Sequence, residues 1–164
     1  MFDRKKAKLF SILLALSLVF SGIGLSLAGE NYGKKVGTVT VSVEDSVPIP
    51  EGQDWQEPKG KILNDCEIAL YSDDTMMDCI ERACAQNGID IDIVNRGTGS
   101  GYIRSIDGLA EKKKGAMSGW MGTLNDWFTN KGFENFSIEN GKLKSGDKIK
   151  LAYTLNLGKD LGSD

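Results

Sequence analysis

The sequence predicts an α+β domain, one helix packed on a mostly antiparallel or mixed sheet of about seven short strands. Three observations predict it. Val39, Val41 and Val43 alternate with Thr38, Thr40 and Ser42, the period of a strand. Residues 75–87 carry Met76, Met77, Ile80, Ala83 and Cys84 at helical spacing. The C-terminal part is punctuated by the turn signals Asn125-Asp126, Asn140-Gly141 and Ser145-Gly146-Asp147.

Ahead of the domain, Arg4, Lys5, Lys6 and Lys8 stand against the single acid Asp3, and an apolar run follows over residues 9–20. Ser21, Gly22 and Gly24 then lead to Ser26-Leu27-Ala28, small side chains at the positions a signal peptidase reads. Residues 1–28 are therefore expected to be a secretory signal peptide cut after Ala28, leaving 29–164 as a single domain. The alternative is an uncleaved anchor over residues 9–27, the one route by which the chain would contact a membrane. No cysteine lies at the cut to carry a lipid. Of 20 basic and 23 acidic residues the leader holds four and one, so the mature part has 16 against 22, a net charge of −6. Such a surface repels phosphates and excludes nucleic acid as a partner.

The first strand is residues 38–43. Residues 45–60 hold all three prolines, Pro48, Pro50 and Pro58, with Gly52 and Trp55, and read as an irregular insertion longer than compact domains usually carry. Residues 67–71 form a short apolar run, a buried strand. Asp73-Asp74-Thr75 supplies capping side chains for the helix and Gly88 its stop. The helix's methionines and cysteines read as core residues rather than ligands of a soft metal. Ile89, Ile91 and Ile93 alternate with Asp90 and Asp92 as a half-buried strand. Gly97-Thr98-Gly99-Ser100-Gly101 precedes strand-like residues 102–106, not a helix bearing a lysine, so it reads as a loop or bulge and not a phosphate cradle. Residues 111–114 are a short charged loop. Residues 120–124 are a strand, Asn125-Asp126 a turn of the kind that tolerates positive φ, and Trp127-Phe128 the return. In the last strand Ile149, Leu151, Tyr153 and Leu155 face one way, Lys148 and Lys150 the other.

Three cysteines in an exported chain make a disulfide from Cys66 to Cys79 or Cys84 a candidate; Cys79 and Cys84 lie about 140° apart on one helix and do not suit each other. Three reduced core thiols are the equal alternative. Histidine is absent, which removes Ser-His-Asp and Cys-His nucleophiles, histidine bases and histidine-containing zinc sites. The acidic pairs Asp73-Asp74 and Asp90 with Asp92 read as a cap and a solvent face, so no catalytic residue is assigned and the chain is expected not to be an enzyme.

Gly101-Tyr102-Ile103, Ser105-Ile106-Asp107-Gly108, Ser118-Gly119-Trp120-Met121, Leu124-Asn125 before an aromatic, Leu143-Lys144-Ser145-Gly146-Asp147-Lys148-Ile149 and Tyr153-Thr154 occur in that order. This succession resembles the bacterial DUF4430 family, which is similar to the C-terminal β domain of transcobalamin and intrinsic factor. The resemblance covers residues 36–158 and implies a transcobalamin C-terminal-domain-like fold. In the vitamin carriers that domain closes over cobalamin beside a helical domain, for which 29–164 has no room. Cobalamin or a related corrinoid is thus a candidate ligand that the resemblance alone does not establish, and no other cofactor is expected. Aromatics gathered about one tight hairpin offer flat apolar area with polar edges, so Tyr102, Trp120, Asn125, Trp127 and Phe128 are the candidate ligand-binding residues, with Trp120 equally suited to the core. The function expected is an exported, non-enzymatic binding module whose partner is a small molecule or a cell-envelope protein. It would be secreted or held at the cell surface. The alternative is a structural or adhesive surface module.

Overall fold

The computed structural model describes residues 32–163, and the expected signal peptide lies outside the described residues. Strand β1 (Lys35–Asp45) runs antiparallel to β2 (Gly60–Tyr71), and helix α1 (Met76–Gln86) follows. Strands β3 (Ile91–Val94), β4 (Tyr102–Ile106) and β5 (Leu109–Ala110) form a three-stranded antiparallel sheet. Strands β6 (Gly119–Leu124), β7 (Trp127–Phe128) and β8 (Lys148–Thr154) join β1 and β2 in a five-stranded sheet of order β2-β1-β8-β6-β7. In that sheet β1 and β8 are parallel and the other pairs antiparallel. The expected α+β class stands, with eight strands divided between two sheets among the described residues.

One face of the larger sheet is apolar. Val39, Val41 and Val43 of β1 lie beside Ile149 and Leu151 of β8, and the buried face of α1, including Met76, Met77, Ile80 and Ala83, belongs to the same cluster. Ile103 and Ile106 of the second sheet complete it. The helix begins at a capping box: Thr75 Oγ1 accepts the Asp78 N–H, and the Asp78 carboxylate accepts the Thr75 N–H at 2.7 Å. Asp74 caps nothing; its buried carboxylate takes Arg82 through two nitrogens at 2.6 and 2.8 Å. Tyr32 and Tyr71 stack on one another and both lie within 5 Å of the Arg82 guanidinium, at 4.6 and 4.8 Å.

Several boundaries differ from the sequence reading. Residues 67–71 are only the end of β2, whose first half carries Lys61, Asn64 and Asp65; an edge strand with one open side accepts such residues. Ile89 belongs to no strand, because its N–H closes the helix end on the Cys84 carbonyl at 2.9 Å and β3 starts at Ile91. Residues 46–59 are irregular as expected, and they join the antiparallel partners β1 and β2 at the Asp45–Gly60 pair. The candidate bridge from Cys66 is not formed and the alternative of reduced thiols stands: all three cysteines are free, Cys79 and Cys84 buried in α1 and Cys66 half-buried in β2. The charged loop at 111–114 hides one of its charges completely, since Lys114 is buried.

Candidate ligand-binding site

The β6–β7 hairpin turns on two successive left-handed residues, Asn125 at φ 52° and Asp126 at φ 69°, the turn whose twist matches that of its strands. Asn125 is fully engaged in fixing it. Its N–H donates to the Lys148 carbonyl at 2.8 Å, its Nδ2 to Asp147 Oδ1 at 2.8 Å, and its Oδ1 accepts the Lys148 N–H at 2.9 Å. The turn is thereby clipped to the start of β8. Because β7 is the edge of the sheet, the next residue, Trp127, is left 81 % exposed.

Phe128 stands between two shallow grooves. The larger, about 290 Å³, is lined by Leu124, Trp127, Phe128, Thr129, Asn130, Phe136 and Lys142. Lys142 Nζ lies 5.6 Å from the centre of the Phe136 ring and makes no ion pair among the described residues. The smaller, about 170 Å³, is lined by Met121, Thr123, Asp126, Phe128, Lys150, Ala152 and Leu161. Lys150 there is committed to Glu44, which also pairs with Lys61. Burial pulls the Glu44 carboxyl upward, but the two lysines outweigh it and hold the group below its ordinary value. Both grooves therefore have aromatic or aliphatic floors and polar rims, and only the larger offers an unpaired cation. The larger is at the lower edge of the roughly 300–1,000 Å³ of a ligand pocket and the smaller below it, and both are open enough to cover one side of a flat molecule.

Of the five residues expected from sequence, the hairpin brings together Asn125, Trp127 and Phe128. Tyr102 opens β4 in the other sheet, 41 % exposed, its hydroxyl 3.4 Å from Glu111. Trp120 is half-buried, edge-on to Tyr153 at 5.2 Å, and its Nε1 donates to the Leu109 carbonyl at 2.9 Å, which makes it a structural residue. Sequence reasoning missed Thr129, Asn130, Phe136 and Lys142. All four come from the loop between β7 and β8, where Phe136 is one apolar residue among several, with Phe133, Ile138 and Leu143, so nothing local marked it as part of a groove.

The glycine-rich segment has an occupant of its own. Glu134 accepts the N–H groups of Gly97 at 2.5 Å and Gly99 at 2.8 Å, and Arg96 Nη1 at 2.7 Å. Arg96 also reaches Asp78 and Glu81 on α1. The loop is an anion nest filled by the protein's own carboxylate. Among the described residues no group of histidine, cysteine, aspartate and glutamate is placed to hold a metal ion, and no helix is long and apolar enough to cross a membrane.

The fold and the hairpin define a small α+β domain whose exposed aromatic edge is separate from its core. The family model described as a domain of unknown function (DUF4430) matches residues 73–154, half of the chain, and the chain belongs to that family. Among solved structures it is similar to haptocorrin in complex with Cbi, with a TM-score of 0.52 and 16 % identity over 81 % of this chain. The match spans 28 % of the haptocorrin chain, so the likeness is one of fold. No curated protein sequence matches the chain.

Proposed function

We propose that this protein is an exported, non-enzymatic binding module that holds a small molecule against the β6–β7 hairpin. The observation that carries the reading is the exposed Trp127 beside Phe128, the residue shared by grooves on both sides of the hairpin. A contiguous exposed aromatic patch, rather than one exposed ring, is what marks a ligand or partner surface, and Trp127 with Phe128 and Phe136 offers such a patch. A corrinoid is the ligand class we favour. The fold is similar to part of a protein solved with Cbi, and shallow grooves suit a large flat ring covered from one side by this domain and from the other by a second surface. The sites at Trp127, Phe128 and Lys142 would give stacking area and one cation, while Asn125 would act only by holding the turn.

Titration of the folded protein with cobinamide and with cobalamin, followed by tryptophan fluorescence and by the corrinoid's own absorbance, tests this. Saturable quenching is expected, with affinity reduced about 5- to 150-fold by Trp127→Ala, since one stacked aromatic contributes roughly 1–3 kcal/mol. No saturable change at high micromolar ligand would exclude the corrinoid. Retention of the protein in the cytoplasm of its own cell would exclude export. The second reading, a structural or adhesive surface module, is favoured by the same exposed edge if Trp127→Ala abolishes capture by isolated cell envelopes and leaves all small-molecule titrations flat.

A further inference from the structure

We propose that Lys114 and Asp45 form an intramolecular isopeptide cross-link. Asp45 ends β1 and Lys114 lies in the loop between β5 and β6, 69 residues away. Both side chains are buried, 0 % and 1 % exposed. Lys114 Nζ stands 2.8 Å from Oδ1 and 2.7 Å from Oδ2 of Asp45. A nitrogen within reach of both oxygens sits against the carboxyl carbon, at about the 3–3.5 Å from which bonds form.

The surroundings hold this arrangement and keep it dry. The Lys114 N–H donates to Ser118 Oγ at 3.1 Å, Ser118 Oγ meets the Tyr153 hydroxyl at 3.0 Å, and that hydroxyl donates to the Ala110 carbonyl at 2.7 Å. The Tyr153 ring lies 5.6 Å from Nζ. From above, Trp55 of the 46–59 loop covers the Lys114 loop so closely that a Cβ on Gly115 would meet its ring at 3.1 Å. The Lys59 N–H donates to Asp45 Oδ2 at 3.0 Å, which fixes the carboxylate. Among the described residues Nζ has no other acceptor. Two opposite charges without water gain little over a neutral pair, and the site favours whatever removes both.

Condensation does so. One ammonium proton passes to a carboxyl oxygen, the freed lone pair of Nζ attacks Cγ, and a C–N bond forms. The C–O bond then breaks, and the oxygen leaves as water with two protons, both originally on Nζ. Ammonium and carboxylate become a secondary amide and one water, with no change of oxidation state and no outside reactant. Fixed proximity of this kind equals an effective concentration of about 10⁵–10⁸ M, which offsets the unfavourable equilibrium of amide formation in water. The product ties the end of β1 to the β5–β6 loop and encloses β2, α1, β3, β4 and β5 in a covalent ring. With all three cysteines free, it would be the covalent brace of the described domain.

The measurement is mass spectrometry of the folded full chain after denaturation, intact and after tryptic digestion. The expected result is a mass one water below that of the sequence present, no cleavage at Lys114, and a branched peptide containing Asp45 and Lys114. Lys114→Arg should restore the full mass and two linear peptides, whereas Asp45→Asn should give the same branched peptide with loss of ammonia. If the wild-type protein, kept folded at physiological temperature for days, retains its full mass and yields only linear peptides, the pair is an ion pair and the cross-link is wrong.

Discussion

Trp127 holds its indole in water while Trp120, on the adjoining strand, hydrogen-bonds its own to Leu109, so the two tryptophans serve different ends. The cysteines divide in the same way. Burial pushes the Cys79 thiol up to about 12, with the nearby Asp74 carboxylate adding to it, and burial with Glu81 pushes Cys84 up to about 11. Thiolate is the reactive form, so neither reacts readily at neutral pH. A thiol reagent applied to the native protein should modify Cys66 alone, and all three cysteines once the chain is denatured. Rapid native labelling of Cys79 or Cys84, located by peptide mapping, would contradict the burial. The burial of Lys114 could not be read from sequence, because in Glu111-Lys112-Lys113-Lys114 nothing local distinguishes the lysine that faces Asp45 from the two that do not.

At the scale of elements, Gly122 decides how the groove is built. It faces Leu151 across β6 and β8, and a Cβ there would meet the Phe133 ring at 2.5 Å. Its carbonyl also accepts the N–H and hydroxyl of Thr129 at 3.0 and 3.1 Å. Phe133 starts the 3-10 turn Phe133–Asn135 in the loop that delivers Phe136 and Lys142. Gly122→Ala should therefore destabilise the domain by about 1–3 kcal/mol, the usual result of overfilling a core, and should weaken binding at the hairpin more than it lowers the denaturation midpoint would suggest. Denaturant titration beside ligand titration separates the two. The helix and the hairpin were legible in the sequence because their signals are local: Asp73-Asp74-Thr75 and Gly88 for the helix ends, Asn125-Asp126 for the turn. Strands β3 and β4 were legible as strands as well, whereas their pairing into a second sheet and the early half of β2 were not. Their residues, Asn64 and Asp65 among them, are set by which neighbour lies alongside, and periodicity carries no record of partners. The same holds for the glycine segment, whose occupant Glu134 lies far along the chain.

Across the whole molecule, carboxylates held in place by partners set the response to acid. Burial raises Glu134 from its ordinary 4.5, but the Gly97 and Gly99 N–H groups and Arg96 outweigh it and leave the group lower. Asp78, which Thr75 and Arg96 hold against its own burial, is also lowered, and so are Glu44 and Asp160. A carboxyl whose folded value lies below its unfolded one gives stability that is fully present above the unfolded value and disappears as pH falls through the folded one. These four belong to different parts of the fold: β1, α1, the β7–β8 loop and the C-terminal turn. Tm should thus be flat from neutral pH down to about 5 and fall steeply below the ordinary carboxylate range near 4. Arg82, Arg96 and Arg104 are raised instead, a stabilisation that persists to pH values above any ordinary assay and adds no step. Glu134→Gln keeps the size of the side chain but loses the charge that Arg96 and the glycine N–H groups surround. It should lower Tm at pH 7, by about 2–3 kcal/mol of stability for a lost charged hydrogen-bond set, and should shrink the gap between pH 7 and pH 3. If thermal melts monitored by circular dichroism show the same acid loss in Glu134→Gln as in the wild type, the nest at Gly97 and Gly99 does not contribute to the acid sensitivity.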